Sequence, residues 1–423
     1  MADKTNPGTP EETEADLTDT TPRRYPKPEV EKIGDRKLKP STLMMGHGFD
    51  PTLSEGSLKP PIFLTSTFAF ESAAAGKRHF EGITGKRPGG AEGLVYSRFN
   101  GPNQEICEDR LAVWEDAEEA LVFSSGMSAI ATVLLANVRQ GDVVVHSGPL
   151  YAATETLINR ILGRFGVTFL DFPAGAGREE VDAILEKAKT RTTGDGRVAI
   201  VYLESPAPIA MDNTFLGPLW QQALSHGADI SIYSMTKYIG GHSDLVAGGV
   251  VGSKVCLDPI RAMRNTIGTI CDPNTAWMLL RSFETVELRM NRAGENAEKV
   301  CEFLRDHPKV EGLGYLGFLE EGSSQKDIYD RHCSGAGSTF SLFIKGGEAE
   351  SFRFLDALRI AKLAVSLGGT ETLASHPAAM THLSVPDERR QALGITDNLV
   401  RVSIGVEDPD DLIADFEQAL EKV

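Results

Sequence analysis

The residues best placed for covalent chemistry lie in Ser234-Met-Thr-Lys237-Tyr-Ile-Gly-Gly-His-Ser-Asp244. Lys237 closely follows the apolar run 229–233, which reads as a buried strand. Strand ends in an α/β sheet are where ligands sit. Its amine can form a Schiff base with an aldehyde cofactor, and the hydroxyls of Ser234 and Thr236 are spaced to face one way and bond a phosphate. A lone lysine is nearly always a solvated surface charge. The Gly240-Gly241 pair and the flanking hydroxyls weaken that reading here.

Three further patterns point the same way, each with an ordinary alternative. Ser124-Ser-Gly-Met-Ser128 sits at a strand-to-helix junction, where free amides and the helix dipole make a phosphate site. Gly126 would allow close backbone approach; the alternative is a plain helix cap. Asp212 follows the apolar pair Ile209-Ala210 and can pair with a protonated pyridine nitrogen, keeping that ring an electron sink. The alternative is a turn-forming aspartate. Arg401 lies inside the apolar run 399–406, where its fork suits a substrate α-carboxylate. An internal salt bridge competes equally.

These side chains need a parallel sheet to gather them. Short apolar runs alternate with helical patterns over about 60–290, the signature of an α/β fold. Strands are expected at 120–123, 142–146, 166–170, 197–204 and 229–233, with helices at 128–138, 151–162 and 178–190. A long helix with apolar positions at Trp277, Leu280, Phe283 and Leu288 would leave this unit. A smaller α/β unit follows, with strands at 338–344, 363–367 and 399–406 and helices at 348–359 and 409–422. Residues 1–45, rich in Thr, Pro, Glu, Asp and Lys, bury too little to offset ordering entropy and read as a largely disordered arm. An alternative is that the part near residue 40 docks on a neighbouring subunit. The expected division is an arm at 1–45, a large domain at 46–290 and a small domain at 291–423.

Composition excludes several classes. The chain has 423 residues, 41% apolar and 24% charged, with a net charge of −17. That balance disfavours nucleic acid and anionic membrane surfaces. Cys107, Cys256, Cys271, Cys301 and Cys333 are odd in number and form no C-x-x-C pair, which fits a reducing compartment. No H-E-x-x-H or paired Cys/His spacing suggests a metal site. No apolar run of ~20 residues spans a membrane, and no secretory signal is evident. Gly82-Ile-Thr-Gly-Lys86 lacks the spacing of a nucleotide-phosphate loop. The expectation is a cytoplasmic protein.

Taken with Tyr96-Ser-Arg98, Tyr151-Ala-Ala-Thr154, Asp212-Asn-Thr214 and Val365-Ser-Leu-Gly368, these patterns resemble the cysteine/methionine-metabolism family of pyridoxal-phosphate (PLP) enzymes. That family includes cystathionine γ-synthase, cystathionine γ-lyase, methionine γ-lyase and the homoserine-ester sulfhydrylases. The resemblance runs from about Leu58 to the C-terminus. It implies the PLP-dependent transferase fold type I, like aspartate aminotransferase: a large domain on a mixed, mostly parallel sheet and a smaller C-terminal α/β domain. It also implies that Lys237 bonds the cofactor and shuttles protons, that Tyr151 stacks on the pyridine ring, and that Asp212 pairs the ring nitrogen. Gly126, Met127, Ser234 and Thr236 would hold the phosphate. Tyr96 and Arg98 would reach the phosphate of an adjacent subunit in a homodimer or homotetramer. Ser366 and Arg401 would bind the substrate carboxylate.

The implied activity is γ-elimination or γ-replacement on sulfur amino acids or O-acyl-homoserine. Methionine γ-lyases carry a cysteine where Ala153 stands, so the sequence leans to a cystathionine γ-synthase or γ-lyase type, with methionine γ-lyase as the alternative. One departure stands out. Family members read E-S-P-x-N-P and then a helix before the aspartate strand, whereas here Glu204-Ser-Pro-Ala207 runs straight into Pro208-Ile-Ala-Met-Asp212. Parallel neighbours need a connection of a dozen or more residues. The expectation is therefore that the strands on either side cannot pair regularly, and that exposed sheet surface lowers stability and activity. A non-catalytic remnant of the fold is the further alternative. Normal melting with full turnover would refute the loss.

Overall fold

The computed structural model describes residues 31–88, 93–173, 175–204, 210–383 and 385–423. A short hairpin of β1 (Lys32–Ile33) and β2 (Arg36–Lys37) opens it. A helical turn at Pro40–Leu43 follows, and Leu43 and Met44 are buried in the core. Residues 31–45 therefore fold onto the body, because two adjacent apolar side chains find a site against the helix Pro102–Trp114. Residues 1–30 of the expected arm lie outside the described residues.

Seven strands make the large sheet: β3 (Glu119–Phe123), β4 (Val143–Gly148), β5 (Thr168–Pro173), β6 (Val198–Glu204), β7 (Ala210–Asp212), β8 (Ile230–Ser234) and β9 (Gly248–Gly252). Their order is β3-β9-β8-β7-β6-β4-β5. Only β9 runs against its neighbours, and the other pairings are parallel. Val143, Val144 and Val145 are all buried, as a parallel strand covered on both faces requires. The second sheet joins β10 (Val310–Gly314), β11 (Thr339–Ile344), β12 (Lys362–Leu363), β13 (Leu373–Ser375) and β14 (Leu399–Ser403) in the order β10-β11-β14-β13-β12. Its core includes Phe340, Leu342, Phe354, Val400, Val402 and Phe416.

Four further expectations need correction. The strand expected at 363–367 is only the two residues of β12, because the chain then leaves the sheet to carry Ser366 toward Lys237. The long helix is two, Pro273–Phe283 and Val286–Arg305, and the break leaves Leu288 exposed while Leu280 and Phe283 are buried. The helix expected over 151–162 begins at Ala152–Thr156, widens into a π turn at Leu157–Ile161 and tightens at Leu162–Phe165. β9 is hidden in the sequence by its glycines.

The fourth concerns the missing crossover. β6 and β7 do pair in regular parallel register, Tyr202 with Ala210, Leu203 with Met211 and Glu204 with Asp212. β7 is only three residues long, so the chain must retreat by two residues along β6. That is roughly 7 Å at ~3.3–3.6 Å per residue, within reach of a five-residue link. The link, 205–209, lies outside the described residues. Nor is β7 uncovered: Met211 packs against Ala223, Leu224 and Ala228 from the turns that follow it.

Candidate functional site

The C-terminal ends of the parallel strands gather the chemistry. Gly126 follows β3, Tyr151 follows β4, Asp212 closes β7 and Lys237 follows β8, as the ligand-binding edge of an open α/β sheet requires. β3 and β8 both flank Gly248 at the start of β9. A Cβ on Gly248 would lie 2.2 Å from the Ser125 carbonyl oxygen, so only glycine lets the two turns close on each other. Gly126 is the second such contact: its Cβ would meet the Ser234 Cβ at 2.8 Å and the Ser234 Cα at 3.0 Å.

Gly126 begins the helix Gly126–Asn137, and Ser125 caps it. The Ser128 amide donates to Ser125 Oγ at 3.0 Å and the Ser125 amide to Ser128 Oγ at 2.9 Å. The cap reading is thus correct, and it leaves the first-turn amides pointing out of the helix start. The amides of Gly126 and Met127 belong to the first turn, which has no intrahelical acceptor for them. The Ser234 hydroxyl borders Gly126. The Thr236 hydroxyl instead turns to β9, donating to the Ala247 carbonyl at 3.3 Å and accepting from the Ala247 amide at 3.1 Å. Met127 is tied to the helix after Tyr151, with Thr154 Oγ1 donating to its Sδ at 3.9 Å.

Lys237 sits in a tight turn, with the Gly241 amide donating to its carbonyl at 2.7 Å. Its Nζ donates to Ser366 Oγ at 2.8 Å, and Arg401 Nη2 donates to the Ser366 carbonyl at 3.1 Å. One serine therefore bridges the lysine and the arginine. Burial and then the Arg401 charge lower the pKa of Lys237, which favours its neutral, nucleophilic form. Among the described residues no carboxylate lies within ion-pair distance of Arg401, so the internal salt bridge is absent there. Gly368, at φ 71°, makes the approach of this loop possible, since a Cβ would lie 2.8 Å from the Tyr238 amide.

Asp212 is nearly buried. Thr214 donates to its Oδ1 through both the hydroxyl, at 2.6 Å, and the amide, at 3.1 Å. Thr214 Oγ1 in turn accepts from the Ser234 amide at 2.8 Å, which links the aspartate to the lysine strand. Burial raises the Asp212 pKa against the opposing Thr214 and Tyr202 hydrogen bonds. A carboxyl in that state gains from a cationic partner. Tyr151 is half exposed and near enough to Arg401 to favour its charge. Tyr96 and Arg98 stay apart from this group: Arg98 stacks over the Tyr96 and Phe99 rings and donates to the Asn265 carbonyl.

The sequence reading missed Arg289. Its guanidinium donates to the carbonyls of Tyr238 at 2.7 Å, Ile239 at 3.0 Å and Ser282 at 3.1 Å, bracing the lysine turn from behind. Burial lowers its pKa to about 10. A single arginine on an amphipathic helix carries no local signal for this. A cavity of about 340 Å³ lined by Trp220, His226, His332 and Cys333 contains none of the residues above.

The donors present fit PLP. The cradle at Gly126 would be filled by any Cβ, first-turn amides suit a phosphate, and a desolvated amine and a buried carboxyl stand at neighbouring strand ends.

The chain is 39% identical over 386 residues to the L-methionine gamma-lyase of Fusobacterium nucleatum subsp. polymorphum, covering 87% of this chain and 94% of that one. It is 36% identical over 401 residues to the cystathionine gamma-lyase of Bacillus subtilis, covering 91% and 100%. The crystal structure of cystathionine gamma synthase from Xanthomonas oryzae pv. oryzae in complex with cystathionine superposes with a TM-score of 0.80 at 30% identity, covering 92% of this chain and 99% of that one. Residues 41–421 match the family of Cys/Met metabolism PLP-dependent enzymes. With this sheet, this lysine turn and that match, the chain belongs to the PLP-dependent enzymes of cysteine and methionine metabolism.

Proposed function

We propose that this chain is a carbon–sulfur lyase that eliminates the γ-substituent of a sulfur amino acid, with L-cystathionine preferred over L-methionine. The observation that carries the reading is the serine bridge: Lys237 Nζ and Arg401 Nη2 converge on Ser366. A base and a carboxylate fork held this close suit proton transfer at the Cα of an α-amino acid. PLP, when bound, supplies an electron sink for the carbanion at that carbon.

The side chains divide the remaining work. Arg401 pairs with the substrate α-carboxylate, and Ser366 aims the Lys237 amine at Cα while accepting its hydrogen bond. Lys237 would relay the Cα proton onward and then take a Cβ proton, so that the Cβ–H electron pair becomes the Cβ–Cγ double bond as the thiolate leaves Cγ with the C–S pair. It would afterwards return protons to the carbon chain. Asp212, oriented by Thr214, would pair with the protonated pyridine nitrogen, and Tyr151 would stack on the ring. Gly126, Met127 and Ser234 would hold the phosphate, joined by Thr236 once its hydroxyl leaves Ala247. The work is shared between a large unit at 46–290 and a small one at 291–423, whose loop at 366–368 closes on the lysine turn.

Two relatives reported above are named lyases, which favours elimination over replacement. Ala153 favours cystathionine; the 39% identity to a methionine lyase favours the second reading. The test is product analysis on PLP-loaded protein. Cystathionine and water should yield cysteine, a 2-oxo acid and ammonia at least about tenfold faster than methionine yields its 2-oxo acid, a discrimination of ~1–3 kcal/mol. Faster methionine cleavage supports the second reading. Cystathionine formed from O-acyl-homoserine and cysteine without ammonia release sinks the lyase. A cofactor band with no turnover on any substrate would mark a remnant.

The proposed assembly is a homodimer or homotetramer in which Tyr96 and Arg98 reach a neighbour's phosphate. Leu58 is 80% exposed, Leu64 78% and Phe165 65%, side chains that a partner subunit would cover if they lie in the interface. Light scattering should give a mass of at least twice 45.7 kDa; a monomer with full activity would refute the shared site. No helix among the described residues is long and apolar enough to cross a membrane. The five cysteines are free, and a cytoplasmic location is proposed.

A further inference from the structure

Behind the sheet, on the side away from Gly126, Glu115 ends the helix Pro102–Trp114 and is 2% exposed. Its Oε1 accepts from the Tyr233 hydroxyl and from Ser231 Oγ, the latter at 2.9 Å. Ser231 and Tyr233 are alternate residues of β8, so both project from one face of the strand that leads to Lys237. The Tyr233 hydroxyl accepts in turn from Asn213 Nδ2 at 3.0 Å. Asn213 directly follows Asp212, and its amide donates to the Ile232 carbonyl at 2.9 Å. Asn213 Nδ2 also reaches the Gly217 and Gln221 carbonyls, at 3.2 and 2.7 Å. One carboxyl therefore holds both the strand of the lysine and, through Tyr233, the residue beside the aspartate.

We propose that Glu115 is a positioning residue for the site: its carboxyl, wedged behind the sheet, ties β7 to β8 through Tyr233 and Asn213 and fixes Asp212 relative to the Lys237 turn. Two acceptors in this cluster have no hydrogen-bond partner, Glu115 Oε2 and Asn213 Oδ1. The Asn213 side chain lies within reach of the carboxyl. A proton shared between the carboxyl and the Asn213 side chain would satisfy both acceptors. Unpaired buried acceptors of that kind are rare in folded proteins. Among the described residues no lysine or arginine pairs with Glu115, and burial pushes its carboxyl up against the opposing hydrogen bonds of Tyr233, Ser231, Leu224 and Asn213. The network sits on the face of β8 opposite the Gly126 helix, so Glu115 acts only through Tyr233 and Asn213.

The inference rests on the proposed roles of Lys237 and Asp212. Its test compares Glu115→Leu, Glu115→Gln and Tyr233→Phe in full-length, PLP-loaded protein. Glu115→Leu should lower kcat about ten- to hundredfold, the cost of a small misplacement of reacting groups, with KM changed less than about twofold because Arg401 is untouched. The pH midpoint of the visible absorption of bound PLP should move by about half a unit, since the carboxyl beside the ring nitrogen is displaced. Glu115→Gln, which keeps one donor and one acceptor, should restore most of the loss. Tyr233→Phe keeps the ring in the core and should shift kcat and the midpoint the same way by a smaller amount. It therefore remains informative where Glu115→Leu fails to fold. Unchanged kcat and midpoint in Tyr233→Phe and Glu115→Leu would overturn the proposal, as would a Gln variant as impaired as Leu. A Lys237→Ala protein that keeps its visible band would instead overturn the underlying reading of the site.

Discussion

Lys237→Ala should remove the visible absorption band of the bound cofactor and lower turnover by at least about 10²–10⁴-fold, the usual contribution of a positioned acid–base group. The expectation follows from where the amine is held. Burial and the Arg401 charge both pull the Lys237 pKa below the ordinary value, so a larger share of the amine is neutral at a given pH. Ser366 Oγ at 2.8 Å fixes its direction. Alanine removes the nucleophile and the proton carrier together. The turn should survive, because it is held by main-chain bonds such as Gly240 amide to Met235 carbonyl at 2.7 Å and by Arg289 from behind. Normal melting with loss of the band and of turnover is the expected pair of results. A variant that still turns over at more than about a tenth of the parent rate would remove the lysine from the mechanism.

The second large effect is expected at Gly126. Gly126→Val should weaken PLP binding by at least about tenfold and lower stability by about 1–3 kcal/mol, the usual cost of forcing extra atoms into a packed site. Even the first added carbon would lie 2.8 Å from the Ser234 Cβ and 3.0 Å from its Cα. The neighbour is partly backbone, so no rotamer change removes the contact. Either the helix start must retreat from Ser234 or β8 must shift, and both moves displace the amides and hydroxyl proposed to hold the phosphate. Titration of the apo variant with PLP, read by absorbance, gives the affinity, and denaturant unfolding gives the stability. An unchanged dissociation constant would mean that the phosphate is held elsewhere.

The connection between β6 and β7 shows how a correct observation can lead to a wrong inference. The five-residue spacing between Glu204 and Ala210 is evident in the chain, and for strands of ordinary length it forbids parallel pairing. What escaped was that β7 would be only three residues long, so that little retreat is needed, and that Ala223, Leu224 and Ala228 would cover Met211. Strand length there is set by neighbours on both sides, and local composition does not report it. Ser366 is a similar case. The run 363–367 is apolar enough for a strand, yet pairing stops after Leu363 because Gly368 turns the chain against Tyr238.

The chain by itself determined the kinds of side chain at the strand ends and their order. Lys237 after an apolar run, Asp212 after another and Gly126 before a helix follow from alternation and from the special backbone freedom of glycine, both local properties. The tertiary structure alone decided which of them meet. Ser366 lies 129 residues from Lys237 and joins it through a single hydrogen bond. Arg289, Gly248 and Glu115 reach the site only through contacts between elements far apart in sequence. Local sequence shows which residues could meet, because backbone preference is written residue by residue. The meeting itself depends on close packing of whole elements, where a single absent Cβ or a buried carboxyl sets distances that no short motif encodes.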